Sequence, residues 1–75
     1  MPRSDLNQTV AINLRALRLR AGVSQEKLAA KCKLHRTYIG AIERGERNIT
    51  LATLSQLAAA LGVEATELLR PGARP

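Results

Sequence analysis

Apolar residues recur at helical spacing in the first part of the chain. A stripe with a period of three to four residues ends at Gly22, which predicts a first helix over residues 6–21. The members of this stripe are Val10, Leu14, Leu17 and Ala21. Arg15 and Arg18 lie on the opposite, polar face of the same helix.

Two shorter helices are predicted next. Ser24 is a favourable N-cap for a second helix over residues 25–31, and a third helix follows over residues 36–44 and ends at Gly45. Only a brief turn separates them. The apolar positions expected to face inward are Leu28, Ala29, Cys32, Leu34, Ile39 and Ile42.

The C-terminal part of the chain predicts a longer and a shorter helix. Thr50 can cap the fourth helix and Gly62 can close it, while residues 64–69 predict a short fifth helix. The fourth helix carries the longest apolar stripe of the sequence, which we expect to be core: Leu51, Leu54, Leu57, Ala58 and Leu61. With no β pattern, the sequence predicts an all-α domain over residues 1–69 and a mobile tail over residues 70–75.

The net charge of the chain indicates what kind of partner it binds. Twelve Lys and Arg against six Asp and Glu give the 75-residue chain a net charge of +6, which favours a polyanion such as nucleic acid or an anionic membrane surface. No apolar run approaches the ~20 residues of a spanning helix, so no membrane insertion is expected. The N-terminal stretch also lacks the continuous apolar segment of a signal peptide, which predicts a cytoplasmic protein.

The rare residue types exclude several kinds of site. A single cysteine, Cys32, can form neither an internal disulfide nor a cysteine-based metal cluster. The single aromatic residue, Tyr38, argues against single-strand binding by base stacking, which leaves duplex DNA as the better polyanion. There is no Cys and His pair with an orienting acid and no glycine-rich phosphate loop. We therefore expect no enzyme activity, metal, cofactor or small-molecule ligand.

The second and third helices together carry the functional signal. Two short helices joined by a tight turn, the second of them basic, allow one helix to lie in a major groove while the other braces it. Ala29 supplies a small residue where the two helices must approach closely. The segments VSQEKLA at 23–29 and YIGAIERG at 38–45 resemble the Xre family of phage-repressor and Cro type regulators, and the similarity covers residues 8–69.

This resemblance implies a compact five-helix domain of lambda-repressor-like type. It also implies a homodimer that binds an operator of two inverted half-sites and regulates transcription. The run HRTYIG at residues 35–40 is similar to controller proteins of restriction-modification systems. One position departs from the family pattern, since Lys33 occupies the turn position usually held by glycine. We expect it to adopt a left-handed conformation at a cost of about 1 kcal/mol.

Candidate base contacts lie on the exposed face of the third helix. An arginine fork can bond guanine bidentately and a threonine offers a hydroxyl and a methyl, so Arg36 and Thr37 are expected to contact bases. Ala41, one turn further, could touch a thymine methyl. The alternatives are a phosphate contact for Arg36 and a spacer role for Ala41.

Candidate contacts to the DNA backbone surround this helix. The family resemblance implies a phosphate bond from Gln25, and the loop into the fourth helix is expected to position the protein on the duplex. The set comprises Ser24, Gln25, His35, Tyr38, Arg44, Arg47, Asn48 and Thr50. Tyr38 could instead be half-buried packing, and Lys27, Lys31 and Lys33 either add diffuse attraction or form a solvated basic face.

Two further sites are expected away from the bases. The resemblance implies a buried ion pair between Arg18 and Glu43, the alternative being a surface pair. A dimer interface is expected on the fifth helix, whose apolar residues exceed what so short a helix can bury: Val63, Ala65, Leu68 and Leu69. These leucines could instead complete the monomer's own core. The alternative function is a helical interaction module, such as an antitoxin that contacts a partner protein directly.

Overall fold

The computed structural model describes residues 5–71, and within that range the fold is all-α with five helices. The helices are α1 Asp5–Ala21, α2 Gln25–Cys32, α3 Arg36–Glu43, α4 Leu51–Leu61 and α5 Ala65–Leu69. The predicted five-helix architecture is confirmed, and each helix end agrees with its prediction to about one residue. Residues 72–75 of the predicted tail and residues 1–4 lie outside the described part.

Side chains from all five helices meet in one core. Helix α1 packs against α3 and α5, α2 packs against α3 and α4, and α4 packs against α5. The buried apolar residues are Val10, Leu14, Leu17, Leu28, Ala29, Cys32, Ile39, Ile42, Leu54, Leu57, Ala58 and Leu68. Since α3 is held from behind by α1 and α2, its opposite face is left without a covering helix.

The turn between α2 and α3 has the left-handed backbone that the sequence predicts. Lys33 has φ 58° and ψ 38°, and its backbone N–H donates to the carbonyls of Ala29 and Ala30. The N–H of Leu34 donates to the Ala29 carbonyl at 2.9 Å. These bonds satisfy carbonyls that the end of a helix leaves unpaired, so α2 can stop here and α3 can begin three residues later.

A glycine lies where the loop after α3 approaches α1. Gly45 has φ +74°, and a Cβ built on it would lie 2.7 Å from the Gln8 side-chain nitrogen. Any side chain at this position would therefore meet backbone strain and would have to displace the flexible end of the Gln8 side chain. Gly45 allows the chain to turn against α1 and lead into the loop before α4.

Four residues differ in burial from what the apolar pattern predicts. Ala21 and Leu51 are exposed because they occupy helix ends that extend past the core, and Leu51 is 80% exposed. Leu61 is half-buried at the end of α4. Arg18 is buried rather than on the polar face with Arg15, since it pairs with an acidic residue of α3 described below.

The predicted dimer interface on α5 is partly wrong. Leu68 is completely buried in the monomer, so it completes the core and has no surface to offer a partner. Val63, Ala65 and Leu69 pack against the same core and remain partly exposed. The short helix α5 therefore buries Leu68 in the core, while its other apolar residues lie at the edge of the core.

A buried amide on α1 anchors the end of α5. The Asn13 side-chain nitrogen donates to the carbonyls of Leu68 at 2.9 Å and Arg70 at 2.8 Å, with a longer contact to that of Glu67 at 3.3 Å. An amide NH₂ supplies the donors that the last carbonyls of a helix need. The described fold therefore continues through Arg70, past the predicted domain end at Leu69.

Cys32 is a small buried residue of the core, as expected. Its thiol donates to the Gln56 carbonyl at 3.7 Å. Burial raises the pKa of the Cys32 thiol, and the nearby charge of Lys31 opposes this shift. The protonated thiol is a weak nucleophile, so this position contributes packing rather than chemistry.

Candidate nucleic-acid interface

Helices α2 and α3 with their turn form a helix-turn-helix unit, residues 25–43. Leu28 and Ala29 of α2 are buried against α3, where Ile39, Gly40 and Ile42 are also buried. The small Ala29 side chain is buried on the helix that packs against α3, which is compatible with its predicted role. The back of α3 is thus fixed by packing, and its first turn is free to meet a ligand.

That first turn presents the two main candidates for base contact. Arg36 and Thr37 are both exposed. The Arg36 guanidinium forms no ion pair or hydrogen bond with any other residue in the described range. Ala41 is only 7% exposed, so it offers a partner little more than one methyl surface.

Beside these residues lies a hollow that we call the α3 hollow. Its half-buried or buried floor is formed by Leu34, Tyr38 and Ala41. Its exposed rim comprises Lys33, His35, Thr37 and Arg47. The floor is apolar and the rim is mainly basic, a combination suited to a partner that has both apolar and anionic groups.

Arg47 is held over the Tyr38 ring. Its guanidinium carbon lies 5.1 Å from the ring centroid, within the range of a cation–π interaction. Tyr38 also packs against the core, so both alternatives considered for it, packing and exposure to a ligand, are compatible with its place. The contact fixes a positive charge at the edge of α3.

A buried network connects α1, α2 and α3 beneath this surface. Arg18 Nε lies 2.6 Å from Glu43 Oε2, and the two side chains are 8% and 3% exposed. A second bond joins Arg18 Nη2 to Glu43 Oε1 at 3.1 Å, and Arg18 Nη1 donates to the Val23 carbonyl at 2.9 Å. The expected ion pair is therefore present and buried, with bidentate geometry.

Gln25 joins the same network, which the sequence did not indicate. Its Nε2 donates to Glu43 Oε1 at 3.0 Å. A Cβ at Gly40 would lie 3.6 Å from the Gln25 side-chain oxygen and 3.2 Å from an Arg44 nitrogen, so the missing side chain keeps this space open. Because an amide nitrogen carries two hydrogens, Gln25 retains one donor for a ligand at the start of α2.

His35 caps the N-terminal end of α3. Its Nδ1 accepts a hydrogen bond from the backbone N–H of Thr37 at 3.2 Å. The proton of the neutral ring then lies on Nε2, which remains available as a donor. Histidine is not among the residues preferred at an N-cap, so its role as a cap could not be predicted from residue type.

The remaining candidates lie at helix starts or in the loop between α3 and α4, and most have internal contacts. Arg44 Nε lies 3.1 Å from Glu46 Oε2, with the two side chains 58% and 56% exposed. Asn48 accepts a hydrogen bond from Asn7. Ser24 caps α2 by accepting from the Lys27 N–H at 3.0 Å, and Thr50 caps α4 by accepting from the Thr53 N–H at 3.0 Å. All four candidates stay exposed, and an exposed ion pair is too weak to withhold Arg44 from a phosphate.

Comparison with known proteins places this geometry in a family. Residues 14–68 match the HTH_3 helix-turn-helix family, which is most of the chain. The chain belongs to this family. A helix-turn-helix protein of this kind is a DNA-binding transcription regulator and not an enzyme, as the sequence predicts.

Two relatives show how far the similarity extends. A hypothetical transcription factor of Neisseria meningitidis serogroup B is 49% identical over 67 residues, which are 89% of this chain and 63% of that protein. The chain thus spans less than two thirds of the length of that relative. The control protein C.SmaI of Serratia marcescens is 49% identical over 65 residues, 87% of this chain and 77% of that protein.

Solved structures agree with the fold. The crystal structure of the Neisseria transcription factor NHTF has a TM-score of 0.87 at 45% identity, covering 96% of this chain and 84% of that chain. The restriction-modification controller protein C.AhdI of Aeromonas hydrophila has a TM-score of 0.80 at 44% identity, covering 83% and 94%. The resemblance to controller proteins inferred from residues 35–40 is confirmed.

Charge in this helix-turn-helix regulator is concentrated near α3. Six basic residues fall within residues 27–47: Lys27, Lys31, Lys33, Arg36, Arg44 and Arg47. Of the acidic residues in the same range, Glu43 is neutralised by Arg18 and Glu46 by Arg44. Glu26, which lines a hollow with His35 and Arg36, is a further acidic residue beside α3. Basic residues still outnumber acidic ones in this region, which favours the phosphates of a duplex. Within residues 5–71, no helix is long and apolar enough to span a membrane, and no group of side chains could hold a metal ion.

Proposed function

We propose that this regulator binds duplex DNA sequence-specifically by inserting α3 into the major groove. The observation that carries the proposal is the first turn of α3, where Arg36 and Thr37 are exposed on a helix whose back is fixed by α1 and α2. A helix that reads base edges must be held rigidly by neighbouring helices and must present polar side chains that are free to contact the bases.

The roles of the three base-contacting residues follow from their chemistry and exposure. Arg36 bonds the O6 and N7 of a guanine with its guanidinium fork, and Thr37 offers a hydroxyl and a methyl to the neighbouring base. Ala41 forms part of the apolar floor of the α3 hollow, where it receives a thymine methyl. Because Ala41 is nearly buried, its contribution is the smallest of the three.

Contacts to phosphates position the helix. Gln25 is held by Glu43 at the first residue of α2, where free backbone N–H groups also favour an anion. His35 contributes its Nε2 donor on the rim of the α3 hollow. The other proposed contacts are Ser24, Tyr38, Arg44, Arg47, Asn48 and Thr50. They fix register and orientation and carry little sequence preference.

The proposed active form is a twofold homodimer. The exposed apolar side chains of Leu6 and Leu51, 59% and 80% exposed, border a hollow that Ile49 and Leu69 also line. We call these four residues the α1–α4 patch. A second copy covering it would remove this apolar surface from water. The partly exposed Val63 and Ala65 are further candidates for the interface. A twofold dimer sets the two α3 helices about 34 Å apart and requires inverted half-sites in the operator.

The names of the relatives support a narrower role. C.SmaI is named a control protein and C.AhdI a restriction-modification controller protein. We infer that this chain likewise controls the transcription of restriction-modification genes. Such a regulator acts where the genes are, so we propose that it works in the cytoplasm.

Selection from a pool of random duplexes, followed by sequencing, tests the proposal. We expect enrichment of two inverted half-sites separated by about one helical turn. Binding to an enriched duplex should weaken steeply as salt rises, because phosphate contacts release counterions. If the native chain bound no duplex even at low salt, the proposal would be wrong and a protein-interaction module would be favoured. A single unpaired half-site bound as tightly as a paired one would contradict the dimer alone.

A further inference from the structure

The turn residue Lys33 combines a strained backbone with a basic side chain beside the proposed DNA surface. It is the one non-glycine residue with positive φ in the described range, at φ 58°. The other three positions with such backbone are Gly22, Gly45 and Gly62. Among residues 5–71, glycine thus occupies every other position with this conformation, and the exception calls for a physical reason.

The backbone conformation at this position is imposed by the fold. The Lys33 N–H closes α2 by bonding the carbonyls of Ala29 and Ala30, and these bonds need a left-handed residue here. They involve only backbone atoms, so a glycine would form them equally well and without the steric penalty of a Cβ. The lysine side chain therefore contributes nothing to closing the helix.

The side chain has no ion-pair partner among the described residues either. Lys33 is exposed, and no acidic group lies within ion-pair distance of it among residues 5–71. Its charged neighbours in sequence are Lys31 and Arg36, which repel it. The negative end of the α2 dipole favours a cation here only weakly, so a bound anion would be a much stronger partner for the ammonium group.

The position of Lys33 indicates which anion. Lys33 lies on the rim of the α3 hollow together with His35, Thr37 and Arg47, at the same end of α3 as the proposed base contacts. A cation just outside a helix that enters the major groove meets the phosphates along the edge of that groove.

We propose that Lys33 binds a DNA phosphate through its ammonium group, and that this contact is the reason a strained lysine stands where glycine would fold better. The inference rests on the proposed function, since it needs a duplex on this face. It turns Lys33 from a residue of diffuse attraction into a specific positioning contact of the DNA interface.

Two substitutions separate the charge from the backbone. Lys33→Asn removes the charge and introduces a residue that tolerates the left-handed backbone conformation. Lys33→Gly removes both the charge and the backbone strain. Lys33→Arg keeps the charge and the strain. Arg15→Gln, on the exposed face of α1, is a control that loses one charge away from the α3 hollow.

The experiment is a titration of each variant with a selected operator and a scrambled duplex over a series of salt concentrations, with urea unfolding in parallel. For Lys33→Asn and Lys33→Gly we expect about a 3- to 10-fold loss of affinity for both duplexes and a salt slope smaller by about one. Lys33→Gly should also raise the folding equilibrium constant a few-fold. Lys33→Arg and Arg15→Gln should bind within about twofold of the native chain and keep its salt slope.

Native affinity and salt slope in Lys33→Asn would overturn this inference and leave the proposed function intact. The same holds if Arg15→Gln lost as much affinity and slope as Lys33→Asn, since net charge alone would then explain both. Failure of the native chain to bind any duplex would overturn the proposed function and this inference with it. A gain of stability with a loss of binding in Lys33→Gly is the result that no purely structural role produces.

Discussion

The helix-turn-helix unit and the C-terminal pair α4–α5 place their surface residues by different means. Around α3, polar side chains are set by hydrogen bonds: Glu43 holds Gln25, and His35 caps the helix through Thr37. In α4 and α5, apolar residues of one type divide between core and solvent, with Leu68 completely buried and Leu51 80% exposed. The proposed DNA-reading surface is thus positioned by hydrogen bonds before any ligand binds, whereas the proposed association surface consists of apolar side chains that the core leaves uncovered.

The largest expected effect comes from replacing each of these two leucines, in turn, with alanine. Leu68→Ala removes a fully buried side chain, so we expect the free energy of unfolding to fall by about 2–5 kcal/mol. Leu51→Ala removes an exposed one and should change it by less than about 0.5 kcal/mol while weakening self-association. Urea unfolding of dilute protein measures the first effect and molar mass across micromolar concentrations the second. Equal destabilisation by both changes would contradict the assignment of Leu68 to the core and Leu51 to the surface.

Ion pairs allow the same comparison between buried and exposed groups. Glu43→Ala leaves Arg18 buried without its partner, and we expect it to lower the free energy of unfolding by about 2–4 kcal/mol. Glu46→Ala, which breaks the exposed pair with Arg44, should cost only about 0–1 kcal/mol. Thermal unfolding of both variants tests the difference. A melting temperature unchanged by Glu43→Ala would show that the network is not a structural link between α1 and α3.

The cap of α3 gives a smaller effect. His35→Ala removes the acceptor for the Thr37 N–H, and we expect a loss of about 1 kcal/mol of stability. His35→Asn should restore most of that loss, because asparagine is a preferred N-cap. The free energies of unfolding of the three proteins are measured under one condition. We expect His35→Ala to be the least stable, with His35→Asn equal to the native chain or slightly below it. Equal stability of His35→Ala and the native chain would mean that the cap is not needed.

The sequence was most informative where structure is local. Ser24 and Thr50 were predicted as caps and Gly62 as a helix end, because a cap needs only neighbouring atoms. The left-handed turn at Lys33 was predicted from the family resemblance alone, because Lys33 occupies the turn position usually held by glycine. These local features were enough to define all five helices and the helix-turn-helix unit.

The features that the sequence missed depend on distant contacts. The bond from Gln25 to Glu43 joins residues 18 positions apart, and that from Asn13 to Leu68 joins residues 55 apart. Leu51 matches the apolar period of α4, but the period does not show where the core ends. Leu68 was expected at the surface because the buried side of a five-residue helix cannot be determined without the helices packed around it.

The central claim is that Arg36 reads a base from α3, and paired binding titrations test it most directly. The dissociation constants of the native chain, Arg36→Ala and Arg44→Ala are measured for a selected operator and for a scrambled duplex at one salt concentration. Arg36→Ala should lose about 1–3 kcal/mol of affinity for the operator and little for the scrambled duplex, so that discrimination falls. Arg44→Ala should weaken both duplexes alike. If Arg36→Ala also weakened both duplexes in the same proportion, Arg36 would be a phosphate contact and the base-reading role of α3 would be contradicted.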